Sequence, residues 1–369
     1  MTSYRQPESD ILTTTSPCKF FDKCGGCDFL DLKDEDYQNL KIANLTQILE
    51  KNFSQYLLKL EYIWIGPKSR RKITLQIDIN NRVGFFAKQS NSIAEVSECF
   101  VAEEKISDLI LPLKKFLKQQ EENLFTQATI TLFDDGLDLV LNAKREFNAT
   151  QIQKIISFAK ENNLNISSQI KNNFTPIFIA RKNQIFYPNF KINLSSSIFI
   201  QATKSGLENI VRIISDFCKN SKKKLKIADI YAGFGAYSFA ICDLANEIHA
   251  FEGDQDMVDL INTNASSNNL GNKIKASARD LFSSAVIAKE LKNFDLAIIN
   301  PPRNGATPQV KEIAKSNLKS VIYVSCNPLS FAADAKILID SGFKITRLVA
   351  LDQFYSTKHL ELISIFEKP

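Results

Sequence analysis

The chain has 369 residues, 44% hydrophobic and 24% charged, a composition that excludes intrinsic disorder and leaves room for about two or three domains. No apolar run reaches bilayer-spanning length, and the polar start Met1–Pro17 has no secretory h-region, so a cytoplasmic protein with no membrane partner is expected. The net charge of +5 is modest but unevenly spread: between positions 68 and 88, Lys68, Arg70, Arg71, Lys72, Arg82 and Lys88 stand against one acid, Asp78, a pattern usual for a solvated face and compatible with a phosphate-contacting one.

In chain order, residues 1–17 read as a flexible tail, followed by the tight run Cys18-Lys-Phe-Phe-Asp-Lys-Cys24-Gly-Gly-Cys27. The stripe Leu40, Ile42, Leu45, Ile48, Leu49 predicts a helix over Asp34–Asn52. Alternation in Ile73-Thr-Leu-Gln-Ile-Asp-Ile predicts extended segments between Tyr62 and Phe86. A helix over Val101–Gln120, strands Gln127–Phe133 and Leu137–Asn142, a helix over Gln151–Asn162 and a β segment over Phe174–Phe190 follow. From about Lys223 the pattern changes. Apolar runs at Leu225–Tyr231, Glu247–Phe251, Lys273–Ala278, Phe294–Ile299, Ser320–Val324, Phe343–Leu351 and Leu360–Phe366 alternate with helical stretches, the signature of an open, mostly parallel sheet covered on both faces. The expected organisation is α/β, with an α+β region over 18–190 and a Rossmann-like domain over 191–369, the boundary falling near Asn189–Ser196.

Asp229-Ile-Tyr-Ala-Gly-Phe-Gly-Ala-Tyr-Ser lies where the first of these parallel strands turns into a helix. Gly233 and Gly235 allow close approach of a ligand to the backbone, although a plain tight turn explains them equally. Glu252 ends the next strand, where an acid typically binds a ribose diol, and Asp280 follows the third. Asn300-Pro-Pro-Arg follows the fourth, and Ser238 stands where a dinucleotide fingerprint has its third glycine. Together these features favour S-adenosylmethionine as the ligand.

Seven cysteines in such a chain are expected as reduced thiols. Cys218 and Cys242 suit packing, whereas Cys326 ends the fifth strand and is followed by Asn-Pro. His359 and Glu361 flank Leu360 with strand spacing, which suits a reacting pair of side chains or two solvated polar groups. A cysteine and a carboxylate beside a methyl donor suggest a specific chemistry. Uracil C5 is a poor nucleophile until a thiolate adds to C6, and a base must then remove the C5 proton. Cys326 and Glu361 supply those two groups.

These residues carry a resemblance to the bacterial RNA (uracil-5-)-methyltransferase family that covers nearly the whole chain from Cys18. Phe199-Ile-Gln-Ala-Thr is similar to its Phe-x-Gln-x-Asn motif, Ser325-Cys-Asn-Pro to its nucleophile motif, and Asp352-Gln-Phe-Tyr-Ser-Thr-Lys-His-Leu-Glu to the motif ending in its general base. The resemblance implies a class I methyltransferase domain with Cys326 and Glu361 as catalytic residues. It implies Gln201, Tyr231, Gly233, Gly235, Glu252, Asp280 and Asn300 around the cofactor. Cys18, Cys24, Cys27 and Cys99 suit a [4Fe–4S] cluster or a zinc ion by spacing alone, and likeness to the iron–sulfur 23S rRNA branch decides for iron. The family's N-terminal β-barrel RNA-binding domain is expected to be missing, and a monomer acting on RNA, 23S rRNA ahead of tRNA, is implied.

The chain departs from the family pattern at Asn300 (an Asp there), Ala232 and Ala236 (Cys and Asn), Thr203 (Asn) and Tyr355 (Pro). Asn-Pro-Pro also resembles amino-group methyltransferases, but Arg303 replaces their stacking aromatic. A DNA cytosine-5 enzyme would carry its cysteine after the proline that follows the fourth strand, where this chain has none. An RNA chaperone or assembly factor that has lost activity through Asn300 is the remaining alternative. Arg70, Arg71, Lys72 and Arg82 are the candidates for phosphate contact, and Trp64, Phe85 and Phe86 read as core ahead of base-stacking.

Overall fold

The computed structural model describes residues 15–53, 60–196 and 198–369; most of the expected tail lies outside them. The elements run α1 (Asp34–Phe53), β1 (Glu61–Trp64), β2 (Lys72–Ile77), β3 (Val83–Phe86), β4 (Ile93–Glu95), α2 (Glu104–Lys118), β5 (Phe125–Phe133), β6 (Gly136–Ala143), α3 (Ala149–Glu161), β7 (Leu164–Ile170), β8 (Asn173–Phe178), β9 (Asn183–Tyr187) and β10 (Phe190–Leu194). They continue with α4 (Lys204–Lys219), β11 (Leu225–Ile230), α5 (Ala236–Ile241), β12 (Ala245–Glu252), α6 (Gln255–Ser267), β13 (Ile274–Ala278), α7 (Ala288–Leu291), β14 (Leu296–Ile299), α8 (Thr307–Lys315), β15 (Ser320–Ser325), α9 (Pro328–Asp340), β16 (Lys344–Asp352) and β17 (Glu361–Glu367).

An eight-stranded sheet in the order β1-β16-β17-β15-β14-β11-β12-β13 forms the C-terminal body. Its pairs are parallel except those of β17, which runs antiparallel to both β15 and β16. Such strands must be apolar on both faces because helices cover each side. Ile227, Ile298 and Ile322 accordingly enter one core layer, while Ala228, Ile299 and Tyr323 enter the other. The expected parallel α/β architecture is therefore present.

The second sheet has seven strands in the order β4-β3-β2-β5-β6-β7-β8, antiparallel except for β6–β7. In β2 the buried residues are Ile73, Leu75 and Ile77, alternating with partly exposed Lys72, Thr74 and Gln76, as a sheet with one covered face requires. Helices α2 and α3 cover that face through Ile106, Leu113, Ile155 and Phe158.

Chain order does not separate the two bodies cleanly at residues 190/191. Strand β1 pairs with β16, and Leu45, Leu49 and Phe53 of α1 join a core layer of the C-terminal sheet. The hairpin β9–β10 bridges the two sheets. Asp134, after β5, accepts from the Phe186 amide at 2.9 Å, and Asn193 exchanges hydrogen bonds with the Asn264 side chain of α6. Among the described residues, no helix is long and apolar enough to cross a membrane.

Candidate active site

The C-terminal ends of β11, β12, β14 and β15 open into a cleft of about 1230 Å³ between the two sheets. Ligands in such sheets bind at this edge, where the chain leaves each strand and exposes backbone groups. Gln201, Tyr231, Gly233, Glu252, Asp280, Asn300, Cys326 and Glu361 all line this cleft; Gly235 does not. Gly235 instead starts α5 in the left-handed region, at φ 80°, where a side chain would be strained.

The loop after β11 is shaped by backbone geometry. Tyr231 and Gly233 both have positive φ, 62° and 56°, and a Cβ added at Gly233 would meet no atom within 4 Å, so this turn faces open space suited to a ligand. Glu252 holds the turn: its Oε2 accepts from the Gly233 amide at 2.8 Å and its Oε1 from the Gly253 amide at 2.8 Å. Beneath it, burial pushes the Asp229 carboxyl up to about 6, while Ser238 Oγ donates to it at 2.6 Å. Ser238, in the dinucleotide-glycine position, is thus a packing partner of the strand. Asp280 is exposed and held low by the Ser283 hydroxyl and the Phe282 and Ser283 amides.

One side of the cleft brings together the chain after β14, the chain after β15 and the start of β17. Burial and the nearby Glu361 carboxylate push the Cys326 thiol up, and the positive charge of the nearby Arg303 guanidinium pulls the other way. Burial pushes Glu361 up to about 7, opposed by the Gln353 amide, whose Nε2 donates to Oε2 at 3.0 Å. Asn300 Nδ2 donates to the Tyr237 hydroxyl at 3.1 Å. His359 precedes β17 instead of lying in it, yet it also lines the cleft.

The sequence pattern did not single out Tyr237 and Gln353, and it registered Arg303 only as a missing aromatic. Their partners are 63, 8 and 23 residues away along the chain, so no local spacing announces them.

At the other end of the cleft lie Cys18, Cys24, Cys27 and Cys99. Burial pushes the Cys27 thiol up, and Cys99, Cys24 and Cys18 are close enough to push it further. All four line this end of the cleft, although among the described residues no group of three or more His, Cys, Asp or Glu is placed to hold a metal ion. Cys218 and Cys242 are 4% and 2% exposed within the core, as packing cysteines should be.

The basic strand differs from its expected place. Arg71 is 2% exposed and donates from Nε to the Gln201 carbonyl at 2.9 Å, and Lys72 Nζ donates to the Ile198 carbonyl at 2.8 Å. Arg70 and Lys72 face the cleft, and Arg82 is paired with Asp78 at 2.6 Å. Arg71 is buried because its backbone links Ala202 to Leu132, where the two sheets meet. The core reading of Trp64 and Phe86 also fails, since they are 38% and 46% exposed; Phe85 is half-buried at the cleft.

A mostly parallel sheet with a glycine turn after its first central strand, an acid ending the next and a cleft at the strand ends fits an S-adenosylmethionine-dependent methyltransferase. The family model described as tRNA (Uracil-5-)-methyltransferase matches residues 70–368. The chain belongs to that family and is an S-adenosylmethionine-dependent RNA methyltransferase. It is 28% identical to the 23S rRNA (uracil(1939)-C(5))-methyltransferase RlmD of Aeromonas salmonicida, over 95% of this chain and 82% of that one. An uncharacterized RNA methyltransferase of Mesorhizobium japonicum is 27% identical over 98% of this chain and 86% of its own length. In fold it is similar to the Pyrococcus abyssi tRNA (uracil-54, C5)-methyltransferase solved with S-adenosyl-L-homocysteine, with a TM-score of 0.71, 21% identity, and coverage of 93% of this chain and 86% of that one.

Proposed function

We propose that this protein methylates C5 of a uridine in 23S rRNA through a covalent bond between Cys326 and C6 of the base. The observation that carries this reading is that Cys326 and Glu361, 35 positions apart in the chain, line one cleft with the glycine turn. The rRNA substrate is taken from the likeness to RlmD.

In this mechanism the Arg303 guanidinium favours the Cys326 thiolate. The thiolate adds to C6, and the C5=C6 pair moves toward O4 to form an enolate. C5 then attacks the methyl carbon of the sulfonium, whose carbon–sulfur bond breaks to leave a neutral thioether. Glu361 takes the C5 proton, the C5–H pair becomes the C5=C6 bond, and the C6–sulfur pair returns to Cys326. Gln201, Tyr231, Gly233, Glu252, Asp280 and Asn300 line the space assigned to the methyl donor and base, and Gly235 sets the turn. The target nucleotide must be presented unstacked, because C6 is shielded inside a duplex.

The reading extends to a [4Fe–4S] cluster on Cys18, Cys24, Cys27 and Cys99. Its support is the donor set itself: these four cysteines line one end of the cleft, close enough that each thiolate disfavours the next, a cost that a bound cation would offset. Such a group would tie the N-terminal segment to the strand end before α2.

Cys326→Ala is expected to abolish 5-methyluridine formation, and Glu361→Gln to accumulate an RNA–protein adduct carrying a methylated base, visible on a denaturing gel. An absence of adduct counts against the covalent route. Mapping 5-methyluridine in rRNA and tRNA from a deletion strain distinguishes the substrates: loss from tRNA alone would sink the rRNA assignment.

A further inference from the structure

We propose that Gln353 is the positioning residue for the general base, holding Oε2 of Glu361 through its Nε2 so that Oε1 is left to receive the C5 proton. This rests on the reading of Glu361 as that base.

Gln353 is 2% exposed, and its amide donates to Glu361 Oε2 at 3.0 Å. Its own Oε1 is buried and has no hydrogen-bond partner. A buried amide with an orphaned acceptor costs folding free energy, and a residue serving the fold alone would be better replaced by an apolar side chain of the same shape. Orphaned acceptors of this kind call for an explanation, and the Glu361 contact supplies it.

The surroundings are built to keep the amide in place. Asp352, the preceding residue, is fully buried and held by Lys41 Nζ at 2.7 Å, Tyr37 hydroxyl at 2.7 Å and Tyr62 hydroxyl at 2.8 Å. On the other side lies Gly206 in the first turn of α4, where a Cβ would fall 2.3 Å from Gln353 Oε1. The missing side chain leaves room for the amide. The other titratable groups facing Glu361 are Cys326 at the end of β15 and Tyr237 of α5, with Arg303 and His359 in the same wall.

The test is Gln353→Met, which keeps the volume and removes both polar atoms. The expected result is an unchanged or raised Tm, an unchanged KM for RNA, and kcat lower by about tenfold. The acid limb of the rate profile should move up by about one pH unit, because a hydrogen bond to the charged carboxylate is lost. The covalent adduct should also persist longer, since its breakdown needs the base. Gly206→Ala reaches the same amide from the α4 side and is expected to move the pH limb in the same direction. A lowered Tm with an unmoved pH limb overturns the proposal in favour of a structural role. If Glu361→Gln gives an adduct while Gln353→Met and Gly206→Ala leave kinetics unchanged, the proposal alone fails. If Glu361→Gln gives no adduct, the base assignment falls and the proposal falls with it.

Discussion

Glu361 is almost wholly buried, at 4% exposure, and its carboxyl is pushed up to about 7 from an ordinary value of 4.5. An acid whose folded-state value is raised binds its proton more tightly in the native state. Its contribution is therefore favourable below about 4.5 and is lost as pH rises toward 7. Glu361→Gln removes this penalty, and the introduced amide can donate to the orphaned Gln353 Oε1. The expected outcome is an inactive protein more stable than the parent by about 1–3 kcal/mol at pH 8, with the gain vanishing near pH 4. Urea titrations at the two pH values check this, and a stability loss at pH 8 would contradict the burial penalty. If Glu361 is the base proposed above, the same value near 7 would place the acid limb of the rate profile within the neutral range, where a base is ionised yet still accepts a proton. Neither Glu361's burial nor its amide partner was legible in His359-Leu360-Glu361, because spacing in a strand gives a face and not what covers it.

At the scale of elements, α1 and the end of β16 are joined through a fully buried ion pair. Lys41 and Asp352 are each 0% exposed and 2.7 Å apart, and burial lowers the Lys41 ammonium to about 8. Removing one partner of such a pair leaves an uncompensated buried charge, whereas replacing both with apolar groups is often tolerated. Lys41→Met is expected to cost about 3–5 kcal/mol, and Lys41→Met with Asp352→Leu to recover only part of it, because the Tyr37 and Tyr62 hydroxyls then lose their acceptor. Chemical denaturation of the two variants measures this, and equal losses in both would show that Asp352 is not the dependent partner. The amphipathic stripe of α1 was readable from Leu45 and Leu49, which do enter the core. Lys41 sat on that stripe as an ordinary surface lysine would, since its partner is 311 residues away. The basic run divides for a related reason, with Arg71 buried and Arg70 and Lys72 at the cleft: charge in a sequence does not reveal whether a residue lies on a surface or at the junction of two sheets.

At the scale of the whole molecule, the cysteine-bearing segment connects parts of both bodies. Cys24 bridges to Ala87, Gly25 donates to the Phe86 carbonyl at 2.9 Å, and Asp28 donates to the Ser356 carbonyl at 2.7 Å, within the turn that leads to Glu361. A group held by these thiols would stabilise the turn and the cleft together. Cys99→Ser is therefore expected to lower Tm by about 5 °C or more and to reduce methylation in parallel, with KM for S-adenosylmethionine little changed. Anaerobically purified protein should carry about four iron and four sulfide per chain. Stoichiometric zinc without sulfide would replace the iron reading with a zinc site.

By itself the sequence determined the fold class and set the glycine turn and Cys326 at strand ends, because each is written in a contiguous run. Parallel strands buried on both faces are continuous apolar segments, Gly233 and Gly235 supply the turn in place, and Cys326 directly ends its strand. Tertiary structure decided which polar groups act together. Gln353 against Glu361, Asn300 against Tyr237, Arg303 against Cys326, and the convergence of Cys99 on the N-terminal thiols all join segments separated in the chain. Burial, which sets the proton affinity of Glu361 and turns Arg71 from a surface charge into a strut, is a property of the packed molecule that local residue order does not contain.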